Sequence, residues 1–121
     1  MGIKEIALRK FQKELNAGTA ALVLLAVLER AGEPMYGYQI AKRLEAERED
    51  VPIKQGAMYP VLRALEGSGF LESRVEPSVS GPPRKYYRIT EEGREALVEW
   101  SEIWKRTRLF VESNLRGKSD V

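Results

Sequence analysis

A chain of 121 residues, 43% apolar and 31% charged, is long enough for one cored domain and too short for two; its composition is that of neither a disordered nor a membrane protein. It contains no cysteine and no histidine, which removes disulfides, thiolate chemistry, the usual general base and the commonest nitrogen ligand for metals. A formal net charge of +2 does not by itself point to nucleic acid, so an electrostatic partner has to be sought in local clusters.

In chain order, the spacing of Ile3, Ala7, Phe11 and Leu15 among Lys4, Arg9, Lys10 and Lys13 predicts an amphipathic helix over Ile3–Leu15. Asn16–Gly18 reads as its end, and Thr19 as the cap of a second helix, Ala20–Ala31, apolar nearly all round and therefore central in the core. The apolar run from Ala20 to Leu28 falls well short of the roughly 20 residues that span a bilayer, and Met1–Gln12 is charged throughout, unlike a signal peptide. A cytoplasmic location is the expectation. After the turn Gly32–Pro34, a helix over Met35–Glu47 turns Ile40, Ala41 and Leu44 inward and Lys42, Arg43 and Glu47 outward, and Val51–Lys54 is a short connector.

Gln55–Phe70 is the stretch around which the rest is organised. Val61, Leu62, Leu65 and Phe70 form an apolar stripe, while Lys54, Gln55, Tyr59 and Arg63 lie mostly off it. Pro60 is tolerated only near a helix start, so the helix begins close to Gln55–Ala57; Gly67 and Gly69 supply its stop, one of them in the left-handed conformation. Leu71–Arg74 and Arg84–Thr90 then read as two short strands joined by a Pro/Gly/Ser segment, with Tyr87 and Ile89 on the core side and Tyr86 and Arg88 on the other. A helix followed at once by a hairpin with an excess of cations (Arg63, Arg74, Arg84, Lys85 and Arg88 against Glu66, Glu72 and Glu76) predicts a winged helix-turn-helix.

Thr90 reads as an imperfect cap for one long helix, Glu91–Leu115. Its apolar positions Leu97, Trp100, Trp104, Thr107 and Val111 step by three and four, with Ala96, Ile103 and Phe110 in a parallel row. A domain this small cannot cover so long a stripe, which leaves a second copy as its natural partner. The fold expected is thus mostly α with a small β-hairpin wing plus a long C-terminal dimerisation helix: residues 1–90 the winged-helix unit with its N-terminal helix, residues 91–121 the dimerisation helix and tail.

Three separated motifs, PMYGYQIAKRLE, GAMYPVLRALEGSGFL and GPPRKYYRITEEG, occur here in an order and at a spacing that resemble the PadR family of bacterial winged-helix transcriptional regulators, and together reach from about residue 19 to 104. The resemblance implies a homodimer on double-stranded DNA carrying an inverted repeat, acting most simply as a repressor. Recognition helices one turn apart require half-sites spaced by about ten base pairs.

The residues assigned to DNA on this reading are Tyr36, Tyr38, Lys54, Gln55, Met58, Tyr59, Arg63, Arg74, Arg84 and Lys85. Each has a plainer alternative: Arg63 as a solvated cation, Met58 as core, Tyr59 as a brace for the wing, and Tyr36 as a packed ring with its hydroxyl at the surface. The dimer interface is assigned to Phe11, Leu15, Leu97, Trp100, Ile103, Trp104, Thr107 and Val111. In some PadR-like regulators a tryptophan on the last helix lines a pore between subunits that takes flat aromatic or cationic molecules, which makes Trp100 and Trp104 candidate effector contacts; plain dimer packing is the competing account. No cofactor, metal or catalytic residue is expected, since a hydrolytic site without histidine or cysteine would need carboxylates such as Glu91, Glu92 and Glu95, better explained as a helix start. A winged helix retained for protein contact, without specific DNA binding, is the alternative function.

Overall fold

In the computed structural model, which describes residues 2–47 and 55–117, the elements are α1 (Ile3–Ala31), β1 (Met35–Tyr36), α2 (Gly37–Glu47), α3 (Gln55–Gly67), β2 (Leu71–Glu76), β3 (Arg84–Ile89) and α4 (Glu91–Arg116). The fold is mostly α with a small antiparallel sheet and a long C-terminal helix, as expected of a winged helix.

The first two helices of the sequence reading are one. Thr19, expected to cap a new helix, donates its hydroxyl back to the Leu15 carbonyl at 3.0 Å, and Gln12 donates to Asn16 one turn on at 2.9 Å. Asn and Gly inside a helix cost about 1 kcal/mol or less each, too little to stop it between two segments of strong helix formers. The merged helix is long and apolar enough, by length and hydropathy alone, to cross a bilayer, yet Leu24, Leu25, Val27 and Leu28 on its second half belong to the protein's own core.

The remaining core is supplied by Ile40 and Ala41 of α2, Met58, Leu62 and Leu65 of α3, Met35, Leu71, Tyr87 and Ile89 of the sheet, and Ala96 of α4. Pro60 lies inside α3, where the N–H it lacks would have met the Gly56 carbonyl. The helix closes in a Schellman motif: the Phe70 N–H donates to the Leu65 carbonyl at 2.9 Å and the Gly69 N–H to the Glu66 carbonyl at 3.0 Å. Gly69 takes the left-handed conformation at φ 84°, which only glycine adopts without strain.

Two strands were expected and three are present, in the order β1-β3-β2. Met35 and Tyr36, read from sequence as the start of a helix, pair instead with Tyr87 and Tyr86 of β3. The β2–β3 register places Leu71 opposite Ile89, Ser73 opposite Tyr87 and Val75 opposite Lys85 on the core-side face. On the outer face, Glu72 opposes Arg88, Arg74 opposes Tyr86 and Glu76 opposes Arg84.

Thr90 is a complete N-cap. Its hydroxyl accepts from the Gly93 N–H at 3.0 Å and donates to the Gly69 carbonyl at 2.7 Å, tying the start of α4 to the end of α3. Gly93 allows the close approach: a Cβ there would stand 2.1 Å from the Phe70 carbonyl oxygen and 2.7 Å from Ile89 Cγ1. Gly93→Ala is therefore expected to destabilise the domain by about 1–3 kcal/mol or more, because the first obstacle is backbone. Gly67→Ala, where nothing lies within 4 Å, should be neutral or stabilise by up to about 1 kcal/mol. Urea melts of the two variants check the contrast.

Candidate nucleic-acid interface

α3 buries one face and presents the other. Met58 is 0% exposed and packs in the core with Leu62 and Leu65, so its assignment to DNA is corrected: it is the first member of the apolar row, one turn before the residues from which that row was inferred. Arg63 is exposed and, among the described residues, has no ion-pair partner. Tyr59 is half-buried and lies on α2, where a Cβ at Gly37 would come within 2.4 Å of its hydroxyl oxygen. It thus braces α3 against the first residue of α2. Gln55 is the first residue of α3 but its side chain lies outside the described part, as does Lys54 altogether.

The unforeseen strand β1 explains how the tyrosines reach the wing. Tyr36 is at once paired with Tyr86 in the sheet and the residue that precedes α2, where its N–H donates to the Gln39 side chain at 3.0 Å. Its ring meets Tyr86 edge-on at 5.3 Å and Tyr38 in a stack at 6.5 Å. The Arg84 guanidinium sits 4.5 Å from the Tyr36 ring centre, and the Lys42 ammonium 5.4 Å from that of Tyr38. Each such contact is worth about 0.5–1 kcal/mol at an exposed site, enough to favour one orientation while leaving the cation's remaining donors in water. The structure thereby joins the sequence-assigned residues Tyr36, Tyr38 and Arg84 into one surface, with Lys42 and Tyr86 added. In the sequence Lys42 reads as an outward charge and Tyr86 as the face of β3 away from the core; the β1–β3 pairing brings both to the cluster.

Other assigned cations are already engaged. Arg74 pairs with Glu76 at 2.8 Å on the same strand; Arg88, not among the assigned residues, pairs with Glu72 across β2–β3. Lys85 lies on the opposite face of β3 from Arg84 and reaches Glu66 of α3 at 3.1 Å, with its ammonium 5.3 Å from the Tyr87 ring centre. The second Glu66 oxygen accepts from the Ser73 hydroxyl of β2. That hydrogen bond, then the one from Lys85, hold the Glu66 carboxyl below its ordinary value, and Glu66 in turn holds the Lys85 ammonium above its own.

A concavity of about 370 Å³ lies between α1 and α4. It collects Leu15, Trp100, Ile103, Trp104 and Thr107, five of the residues assigned to the dimer interface, with Leu22 beneath. Trp100 is half-buried, edge-on to Phe70 at 5.3 Å, and Leu97 packs on the chain's own core. Trp104 is 39% exposed, Phe11 60% and Val111 48%. Among the described residues, no group of three or more His, Cys, Asp or Glu side chains is arranged to hold a metal.

Because its shift is downward, Glu66 contributes its stabilisation fully above the ordinary carboxylate range and loses it as pH falls through the lowered value. A carbon-detected NMR titration should find Glu66 deprotonating at lower pH than in Ser73→Ala, and Lys85→Gln should likewise move it toward an isolated glutamate. Coincident titration curves would show that the clasp does not form.

With this geometry in view, the comparisons are specific. The model of the transcriptional regulator PadR-like family matches residues 24–99. A PadR family transcriptional regulator from Eggerthella lenta has a crystal structure similar over 93% of this chain and 95% of its own, with TM-score 0.79 and 34% identity. A transcriptional regulator of Mycobacterium tuberculosis is 35% identical over 95 residues, covering 76% of this chain and 78% of the relative. The structure of Bacillus subtilis PadR in complex with operator DNA aligns at TM-score 0.60 and 25% identity over 66% of this chain and 45% of that one. From the three motifs, the fold and these matches, the chain belongs to the PadR-like family of transcriptional regulators.

Proposed function

We propose that the protein is a homodimeric, sequence-specific DNA-binding repressor that works in the cytoplasm, with α3 as the recognition helix and the β2–β3 hairpin as the wing. The observation that carries this reading is the seat of Arg84 on Tyr36: it joins the start of α2 and the wing into one cationic, aromatic surface of the kind that tracks a phosphate backbone. That a structural relative has been captured on operator DNA supports it. Base reading falls to the exposed face of α3, including Arg63, together with Gln55 as assigned from the sequence, and phosphate contact to Arg84, Tyr38 and Lys42.

Dimerisation is supported by two helical arms that the single chain leaves uncovered. Every residue from Gly2 to Leu15 and from Glu102 to Arg116 is exposed, although these stretches carry Ile3, Phe11, Leu15, Ile103, Trp104, Phe110 and Val111. Helical arms of that length are marginal in water unless their apolar faces are covered. A second copy related by a two-fold axis covers them and doubles the DNA-facing surface. The α1–α4 concavity with Trp100 and Trp104 is then the candidate seat for a flat aromatic or cationic effector that relieves repression.

Selection from a random duplex pool should return an inverted repeat with half-sites about ten base pairs apart. Affinity for that duplex should fall linearly on a log–log salt plot, and Arg84→Ala should weaken binding to all duplexes while reducing the slope by about 1. An unchanged slope would remove Arg84 from the phosphate contacts. In sedimentation equilibrium, Trp104→Ala should shift the protein toward monomer; an unaltered dimer would move the interface off α4.

A further inference from the structure

We propose that Glu66 is a positioning residue for DNA recognition: its carboxylate, divided between Ser73 and Lys85, sets the angle of the wing against the recognition helix. The inference rests on the DNA-binding reading above and adds a role for a residue that would not itself touch DNA.

The geometry is particular. Glu66 stands on the last turn of α3 and gives one oxygen to each strand of the hairpin: Oε2 accepts from the Ser73 hydroxyl of β2, and Oε1 receives the Lys85 ammonium of β3 at 3.1 Å. A hinge between a helix and a two-stranded ribbon has freedom to tilt and to roll, and two anchors on different strands remove both where one would leave a pivot. Below the clasp the ribbon is held by core packing of Leu71, Tyr87 and Ile89; beyond it, Val75 and Arg84 are exposed. Glu66 thus ties α3 to both strands of the hairpin at the edge of the core-packed part of the wing. Consecutive residues of β3 are held from opposite faces, Lys85 by Glu66 and Arg84 by Tyr36, so the height of Arg84 above the duplex follows from both.

The sign of the charge separates positioning from simple electrostatics. Glu66→Gln removes a negative charge beside a polyanion and frees Lys85. On charge alone it should tighten binding to every duplex and steepen the salt dependence. As a positioning residue, Glu66 instead supplies order in advance of binding, and two side chains ordered only on the DNA cost affinity of about tenfold.

The test uses full-length wild type, Glu66→Gln, Ser73→Ala and the double variant Glu66→Gln/Lys85→Gln, whose net charge equals wild type. The probes are the duplex selected by wild type and a scrambled duplex of equal length. Expected are a roughly tenfold loss of the selected-to-scrambled affinity ratio in Glu66→Gln, a smaller loss in Ser73→Ala, and no recovery in the double variant. Faster amide hydrogen exchange should appear in Ser73–Glu76 and Arg84–Tyr86 of the free Glu66→Gln protein, with α3 unchanged. An undiminished ratio in Glu66→Gln, recovery in the double variant, or unaltered exchange in the hairpin would overturn the proposal. Should Glu66→Gln fail to fold, Ser73→Ala decides by the same ratio and exchange. If wild type selects no duplex, the DNA reading fails, and the exchange experiment still decides whether Glu66 holds the wing.

Discussion

The central strand β3 is the constraint on which the remaining structure depends. RKYYRI, hydrogen-bonded on one side to β1 and on the other to β2, sends alternate side chains to opposite faces. Tyr87 and Ile89 go into the core, and Lys85 on the same face goes to Glu66; Arg84, Tyr86 and Arg88 go to the outer face, where Tyr36, Arg74 and Glu72 meet them. A one-residue slip would exchange the two sets, exposing Tyr87 and Ile89 and burying charge, so register is specified by the free energy of the core. The position of the wing's cations is therefore a consequence of hydrophobic burial a few ångströms away. Electrostatics acts on an arrangement that packing has already made.

How far this was legible in the sequence depended on the range of the signal. Helix α4, the Gly69 stop, the inward pair Tyr87 and Ile89, and the apolar stripe of α3 follow from local periodicity and turn chemistry, and the structure has them. Thr90 was visible as a cap but undervalued, because its second partner, the Gly69 carbonyl, lies 21 residues away. Where the structure departs from the local signals, tertiary context decides. Asn16–Gly18 looks like a helix end by propensity, but the penalty is small against continuous helix on either side. Met35–Tyr36 looks like the first turn of a helix until β3 offers it a partner, and two residues carry no period of their own. Met58 lies on the margin between the polar face and the stripe, and only packing into the core cluster decides that it is enclosed. The Tyr36–Arg84 and Glu66–Lys85 contacts join elements distant in sequence, and residue spacing carries no direct sign of them.

The two ends of the molecule obey different balances. In the domain, α1's second half, α2, α3 and the sheet bury each other's apolar faces, and the described buried residues include no polar or charged side chain. In the arms, the same helices run on past the core with their apolar stripes uncovered. One chain thus completes the domain core but leaves the arms uncovered. Pairing of the arms would fix the distance between two such domains, which neither could do alone, and it would make the span between half-sites a property of the helices rather than of the DNA.

On the proposed function, α3, the tyrosine–arginine cluster and the wing lie against duplex DNA, and a second copy presents them again. Hydroxyl-radical footprinting of the full-length protein on its selected duplex tests this most directly. The account predicts two protected backbone patches related by a two-fold axis and centred about one helical turn apart. A single patch, or cleavage unchanged by saturating protein, would contradict it.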